Sequence, residues 1–330
     1  MLRTLKGAHH SHRLKAPFRI SRGVKTAAEV VVVEVSEDGE TGRGEAAPYP
    51  RYGESVDSVL GQVQSVAAAF AQRLPHEALT AMLPAGAARN ALDCALWDLR
   101  ARLTGSSVAE MTGRPMPDEI ITAVTISLDQ PEAMARAAQA VATAPLIKVK
   151  LSADQPAERL RAVAGAAPNA RLIVDPNEGW TFAILDGLQP LIAELNVALI
   201  EQPLPADADH ELEGYKPAKP ICADESAHTS KDLKALRGRY QAINIKLDKA
   251  GGLTEALRML DVAKALGFEV MAGCMVCSSL AIAPALHVAA ACDFADLDGP
   301  WWLAEDLPGG VCIEEGRLRR PAVGFWGERA

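Results

Sequence analysis

Between Leu146 and Asp298 short apolar runs recur, and each closes on charged or polar residues. In order they read LIKVKL (146–151), LIVDPN (172–177), ALIEQP (198–203), PICADE (220–225), AINIKL (242–247), EVMAGC (269–274) and FADLDG (294–299). ITAVTISL (120–127) upstream makes eight. Their starts lie roughly 22 to 27 residues apart, the length of one strand, one helix and two short loops in a barrel of eight β/α units. Ala-, Leu- and Glu-rich stretches between them, at 130–144, 155–166, 181–196, 231–239 and 253–266, read as helices. Strands alternating with helices imply a parallel sheet with helices outside.

The first hundred residues carry a different pattern. Residues 1–50 predict a small antiparallel sheet: LRTLKGAHHSHRL, a turn-like FRISRGVKT, the β-branched run AEVVVVEV with its turn EDGETG, and TGRGEAAPYP. Residues 55–112 read as helical, most clearly at 87–104. There Ala88, Ala91, Leu92, Ala95, Leu96, Leu99 and Leu103 form a stripe at helical spacing, with Gly105 as a stop. After the last barrel run the Gly-rich tail 304–330 holds no further helix and strand unit, and is expected to return to the first domain. This divides the chain into an α+β unit at 1–115 and a barrel at 116–303.

Composition narrows the function. The 330 residues are 49% hydrophobic and 23% charged, enough apolar surface for a large core. The net charge is −8 with no basic run, which argues against nucleic acid as a partner. No stretch of about 18 apolar residues exists to span a membrane. The N-terminal MLRTLKGAHHSHRLKAPF lacks the apolar core of a signal peptide, and six scattered cysteines suit reduced thiols, so a cytoplasmic location is expected. Oligomeric state is open, and a homo-oligomer is allowed.

The charges then mark a site, because barrel enzymes place catalytic groups at the C-terminal ends of several strands. Those ends carry Lys148 and Lys150, Asp175 and Asn177, Glu201, Asp224 and Glu225, Lys246 and Asp248, and Asp296 and Asp298. Side chains alternate along a strand, so Lys148 and Lys150 point one way while Val149 points to the helices. Asp175, Glu201 and Asp224 end three successive strands, a donor set suited to a hard divalent cation, Mg²⁺ above all. Each could instead cap the following helix. Lys150 on the second strand and Lys246 on the sixth would flank that cation from opposite sides. Lysine has a reference pKa of about 10.4, and nearby cations would have to depress it to roughly 7 to 8 for proton transfer at neutral pH. Two such amines suggest proton removal on one face of a carbon and return on the other. Deprotonating carbon beside a carboxylate creates an enolate that needs concentrated positive charge, which the cation and Lys148 would supply.

The ordered set KVK, DPNE, EQP, ADES, NIKLDKAGG and DLDGP resembles the enolase superfamily, in its muconate-lactonizing subgroup, over nearly the whole chain. Stretches outside those motifs, PYPRYGES and LPAGAARNALDCALWDL among them, are similar to bacterial dipeptide epimerases. The resemblance implies an α/β fold, a modified (β/α)₇β TIM-type barrel under an N-terminal α+β capping domain. It implies one Mg²⁺ per subunit on Asp175, Glu201 and Asp224, and Lys150 and Lys246 as the acid/base pair, as sites of that superfamily use a lysine or histidine base with magnesium. Lys148 matches the first lysine of the K-x-K motif, and Asp296 and Asp298 the pair that holds a dipeptide's ammonium. Thr125, Cys274 and Met275 match pocket positions. Arg22, which by itself reads as a solvated turn charge, matches a residue that binds a glutamyl carboxylate. Asn177 would support Asp175. Glu225 and Asp248 would position Lys246 by hydrogen bonding or be structural. DPNE departs from the more usual DANE beside Asp175.

The implied activity is epimerisation of L-Ala-D-Glu and L-Ala-L-Glu by 1,1-proton transfer at the glutamyl α-carbon, in murein-peptide recycling. Another dipeptide specificity is the alternative, as is a lyase or cycloisomerase such as o-succinylbenzoate synthase or muconate cycloisomerase, which shares the lysines and metal. The pair Asp296 and Asp298 favours a cationic amine and so speaks against the latter two. A different class, a non-catalytic dipeptide or metal binder, is disfavoured by the intact set of bases and ligands. No histidine falls in a strand-end motif, which argues against the superfamily's acid-sugar dehydratases. Cys274-x-x-Cys277 reads weakly as a redox or zinc motif, being a lone pair.

Overall fold

The computed structural model describes residues 3–329. Met1, Leu2 and Ala330, which the predicted sheet and tail include, lie outside the described residues. The chain opens with an antiparallel meander, β1 (Thr4–Ile20), β2 (Gly23–Glu37) and β3 (Glu40–Ala46), in the order β1-β2-β3. Its centre is the valine run, of which Val30, Val31, Val33 and Val35 are buried. FRISRGVKT is mostly strand: Phe18 faces Lys25, Arg19 faces Val24 and Ile20 faces Gly23, so only Ser21 and Arg22 turn. The tight hairpin holds both flanks in register where a sequence pattern shows only polar residues.

The sheet lies on the helix Ala87–Thr104, whose bounds match the predicted ones. Glycine makes that contact close. A Cβ on Gly42 would fall 2.2 Å from the Ala95 carbonyl oxygen, and one on Gly44 2.1 Å from that of Ala91. The helix buries Ala88, Ala91, Leu92, Ala95, Leu96 and Leu99, but Leu103, at the end of the predicted stripe, is 39% exposed because the sheet stops short of the last turn.

The short β4 (Glu119–Ile121) leads into eight parallel strands: β5 (Val124–Ile126), β6 (Leu146–Lys150), β7 (Arg171–Asp175), β8 (Val197–Glu201), β9 (Ile221–Ala223), β10 (Ala242–Lys246), β11 (Glu269–Gly273) and β12 (Phe294–Asp296). They pair in sequence order. The Ala123 N–H donates to the Ala295 carbonyl at 2.8 Å and bridges the first strand to the last. Buried on both faces, the strands read as continuous apolar runs rather than alternating ones.

Alternation decides what the interior holds. Ala123, Leu146, Ile173, Leu199, Cys222, Ala242, Met271 and Phe294, one from each strand or the residue before it, pack as an apolar layer inside the ring. Two residues further along, on the same inward face, stand Thr125, Lys148, Asp175, Glu201, Asp224, Asn244, Gly273 and Asp296. The charged mouth therefore rests on a packed apolar plug.

The outer helices differ in detail from the pattern. The predicted 181–196 is two helices, Phe182–Gly187 and Gln189–Glu194, because Pro190 cannot donate to a preceding turn and instead opens the second. The predicted 231–239 contracts to one turn, Leu233–Leu236. Ser279–Ala289, absent from the expected set, is a helix with every residue buried; SLAIAPALHVA has no polar face and so no period to read.

The tail forms the hairpin β13 (Cys312–Glu314) and β14 (Arg317–Arg319), and β14 pairs with β4. It then reaches the first domain, where Trp326 Nε1 donates to the Arg43 carbonyl at 2.9 Å and the Gly327 N–H to Asp98 Oδ1 at 2.8 Å. Among the described residues no helix is long and apolar enough to cross a membrane.

Candidate active site

A cavity of about 490 Å³ lies where the barrel mouth meets the first domain. Its floor includes Lys148, Lys150, Asp224 and Lys246, and its wall Thr125, Cys274, Met275, Asp296 and Asp298. The roof comes from the β1–β2 hairpin, with Phe18, Arg22 and Lys25, and from the loop carrying Tyr49 and Tyr52.

The ring order sets the geometry. Lys150 on β6 and Lys246 on β10 are four strands apart in a ring of eight, hence across from each other. The three acids at the ends of β7, β8 and β9 occupy the arc between them, and Asp296, Asp298 and Thr125 the opposite arc. Lys150 Nζ lies 2.6 Å from Asp175 Oδ2, and Lys246 Nζ 2.7 Å from Asp224 Oδ2. Lys148 is central: its Nζ sits 3.0 Å from Asp175, 2.6 Å from Glu201 and 2.6 Å from Asp296.

This charge density moves the titrations. Burial alone would lower the Lys148 ammonium, but Asp175, Asp296 and Glu201 together outweigh it and hold it well above its ordinary value. Lys246 is raised in the same way, by Asp224 and then Glu201 against burial. Here the carboxylates direct their charge to the amines, whereas the expected depression belongs to a site whose carboxylates hold a cation beside the amine. Burial raises Glu201 to about 8, with repulsion from Asp175 and Asp224 adding to it and Lys148 opposing it. For Asp175 burial also pushes up, yet Lys148 and Lys150 hold it below the usual carboxylate range. Asp298 is pushed to about 6 by burial and by Asp296.

Among the described residues no three His, Cys, Asp or Glu side chains are gathered, as they stand, into a metal-holding group. The donor set nevertheless fits a hard cation in its chemistry. Asp175, Glu201 and Asp224 are all buried carboxylates on consecutive strands, and their repulsion adds to burial in raising Glu201. The Oε2 of Glu201 meets Lys148 as an ion pair and accepts no hydrogen bond, which leaves a buried oxygen with coordination to give.

The supporting residues separate into two groups. Asn177 donates from its amide nitrogen to Asp175 Oδ2 at 3.2 Å, and its backbone N–H to Oδ1 at 2.9 Å. Glu225 and Asp248 make no hydrogen bond to Lys246. Glu225 accepts from Arg22 at 2.6 Å, and burial, then Asp224 and Asp175, raise it to about 7. Asp248 accepts from the Ala47 N–H and from Asn90, both at 3.0 Å, and so fastens the first domain behind Lys246. Both are bonded to residues of the first domain. Asp298 accepts from the Thr125 N–H at 2.7 Å, and Asp296 keeps one buried oxygen without a partner. Arg22 is engaged with Glu178, Glu225, Tyr49 and the Asn177 carbonyl. Cys274 and Cys277 are free thiols, as are the other four cysteines.

Several site residues escaped the sequence reading. Asn244 donates to Glu201 at 2.8 Å, and its place two residues before Lys246 could have exposed it by strand parity alone. Lys249 lies 2.6 Å from Asp224 Oδ1, brought back by the short helix Leu247–Ala250, for which no periodic signal exists. Glu178 joins Arg22 and Arg51 only through tertiary contact.

Comparison with known proteins agrees with this architecture. Residues 3–113 match the family described as mandelate racemase / muconate lactonizing enzyme, N-terminal domain, and residues 132–324 the enolase C-terminal domain-like family. The chain is 50% identical over 319 residues to the L-Ala-D/L-Glu epimerase of Escherichia coli K12, covering 96% of this chain and 99% of that one. An enolase family member from Agrobacterium tumefaciens with homology to dipeptide epimerases, solved with sodium, L-Ala-L-Glu and an ordered loop, superposes with a TM-score of 0.96. It is 46% identical, over 98% of this chain and 100% of that one. The dipeptide epimerase of Methylococcus capsulatus, solved with Mg and L-Arg-D-Lys, is similar with a TM-score of 0.88 and 34% identity, covering 98% of each chain. Matched in both domains and along nearly its whole length, the chain belongs to the enolase superfamily, on its mandelate racemase / muconate lactonizing branch, and is an isomerase of the epimerase and racemase type.

Proposed function

We propose that the chain epimerises L-Ala-D-Glu and L-Ala-L-Glu by moving the proton at the glutamyl α-carbon, in cytoplasmic recycling of murein peptides. The observation that carries this reading is the placement of Lys150 and Lys246 across the ring from each other, with the acids on one arc between them. An α-carbon held at the centre presents one face to each amine. One lysine then removes the proton while the other, already protonated, returns a proton on the opposite face, and the roles exchange for the other isomer. Lys148, fully buried and strongly held as an ammonium, stabilises the negative charge that develops on the substrate. Asp175, Glu201 and Asp224 would hold Mg²⁺, which when bound polarises a carboxylate and acidifies the proton beside it. Asp296 and Asp298 on the far arc suit an N-terminal ammonium, which a lyase or cycloisomerase acting on a carboxylic acid without an amine does not need. The six free thiols support a reducing compartment.

Deuterium wash-in tests the proposal. L-Ala-L-Glu incubated with the protein and Mg²⁺ in D₂O should lose its glutamyl α-proton signal in ¹H NMR while the diastereomer grows in. Retention of the α-proton over many hours at micromolar protein refutes the reading.

A further inference from the structure

Each of the three acids that end β7, β8 and β9 has one oxygen engaged by a donor of its own and the other in contact with an amine. Asp175 Oδ1 accepts from the Asn177 N–H at 2.9 Å, while Oδ2 meets Lys150 and Lys148. Asp224 Oδ1 lies 2.6 Å from Lys249 Nζ, and Oδ2 2.7 Å from Lys246. Glu201 Oε1 accepts from Asn244 Nδ2 at 2.8 Å, while Oε2, 2.6 Å from Lys148, accepts no hydrogen bond. The Asn244 amide differs from Lys249 in being neutral. It fixes the orientation of its carboxylate without cancelling the charge a cation would need.

Asn244 stands there against its own burial. It is fully buried, and its Oδ1 finds no hydrogen-bond partner among the described residues, whereas a leucine of similar shape would leave no such oxygen. Asn244 is on β10, two strands from Glu201 on β8, and its amide lies against β11, where residue 273 is glycine. A Cβ on Gly273 would fall 2.4 Å from Asn244 Oδ1 and 2.7 Å from Nδ2. Gly273 is not among the residues of positive φ, so its backbone does not call for glycine; the space taken by the amide does. Of the eight inward positions at this level of the ring, Gly273 alone carries no side chain. The Asn244 backbone is tied as well, its carbonyl accepting at 3.1 Å from Lys249 Nζ, the same ammonium that holds Asp224. One residue thus takes part in holding two of the three carboxylates.

We infer that Asn244 is the positioning residue of Glu201, holding Oε1 so that Oε2 stays available to a divalent cation, and that Gly273 is the gap that admits its amide. The inference rests on the reading above in which Asp175, Glu201 and Asp224 hold Mg²⁺. Its test is titration of the chelator-stripped full chain with Mg²⁺, followed by calorimetry and by melting temperature with and without the ion. Asn244→Leu keeps the shape and loses the donor. It should raise the Kd for Mg²⁺ about 10- to 100-fold, the loss that removing an outer partner of a metal ligand brings. The metal-free melting temperature should hold, because the same change removes the orphaned Oδ1. Gly273→Ala alters neither donor nor ligand, yet it should weaken Mg²⁺ by displacing the amide, and it should add nothing once Asn244 is replaced by alanine. If Asn244→Leu does not fold, Gly273→Ala alone and in that double variant still decides the matter. Single variants that bind Mg²⁺ as tightly as the wild type, or losses that simply add in the double variant, overturn the assignment. So does a metal-free melting temperature that falls in Asn244→Leu with Kd unchanged, which would make Asn244 structural. Failure of the wild type to bind Mg²⁺ removes the metal reading itself, whereas binding with unaltered Kd in the variants removes Asn244 alone.

Discussion

The barrel mouth and the hairpin above it use charge in opposite ways. At the mouth Lys148, Lys150, Lys246 and Lys249 are buried and each touches one to three carboxylates, on strands whose backbone is fixed by neighbours on both sides. On the hairpin Arg22 is tied to the barrel through Glu178 and Glu225, while Lys25, which forms no ion pair among the described residues, lies by the Tyr49 ring. The difference teaches where each kind of work can be done. Proton transfer needs amines held to fractions of an ångström, which parallel strands supply. Recognition of a variable side chain needs residues that change without disturbing the chemistry, which a two-residue turn allows.

If that division is right, damage at the mouth should cost most. Lys150→Ala and Lys246→Ala should each lower epimerisation ~10⁴-fold, at the upper end for a general acid/base, and each should leave α-proton exchange of one diastereomer better preserved than that of the other. Equal loss of exchange for both isomers in both variants would mean that the amines do not work from opposite faces. Stepped wash-in kinetics with purified L-Ala-L-Glu and L-Ala-D-Glu separate these outcomes.

The first domain should fail by a different route. Gly44→Ala places a methyl where the Ala91 carbonyl oxygen already stands. It should destabilise the domain by ~2–3 kcal/mol through overpacking, seen as a lower midpoint in chemical denaturation, with KM rising before kcat falls. A protein as stable as the wild type would show that sheet and helix separate at no cost and that the close approach is incidental.

The joint between the regions should respond to pH. Glu45 accepts from the Ser278 N–H at 2.7 Å and from its hydroxyl; burial raises its carboxyl to about 7, Ser278 opposing and Asp248 and Asp306 adding. A carboxyl raised on folding binds its proton more tightly in the folded state, so its contribution is complete below the unfolded value of about 4 and is lost as pH rises through 7. Wild-type stability should therefore fall by up to ~2 kcal/mol between pH 4 and 7 from this group, and Glu45→Gln should flatten that slope. Melting temperatures at half-unit pH steps for both proteins check it, and parallel slopes would refute it.

The smallest effect belongs to the hairpin's fastening. Glu178→Ala frees Arg22 and Arg51 together and should raise KM for L-Ala-L-Glu ~10-fold, near the worth of a partly buried charged contact, while the melting temperature moves by less than about 2 °C. A fall in kcat with KM unchanged would instead place Glu178 with the chemistry.

The strands, the long helix at 87–104 and the strand-end charges were readable because they follow local rules: apolar runs of strand length, a stripe at helical spacing, and side chains that alternate. Parity alone put Lys148 with Lys150, and the spacing of the runs put Asp175, Glu201 and Asp224 on neighbouring strands. Three things were out of reach. The helix Ser279–Ala289 is buried all round and has no period, and the division at Pro190 depends on where the second helix packs. The partners of the cations are set by contacts across long stretches of chain, as between Arg22 and Glu225.

What the amino-acid order determines by itself is therefore the list of elements and the type of chemistry at each strand end, because both arise from interactions within a few residues. Which ammonium is neutralised by which carboxylate is decided only when the ring closes and the first domain docks on it. Electrostatic partnership depends on distance and burial, and neither is a property of neighbours in sequence.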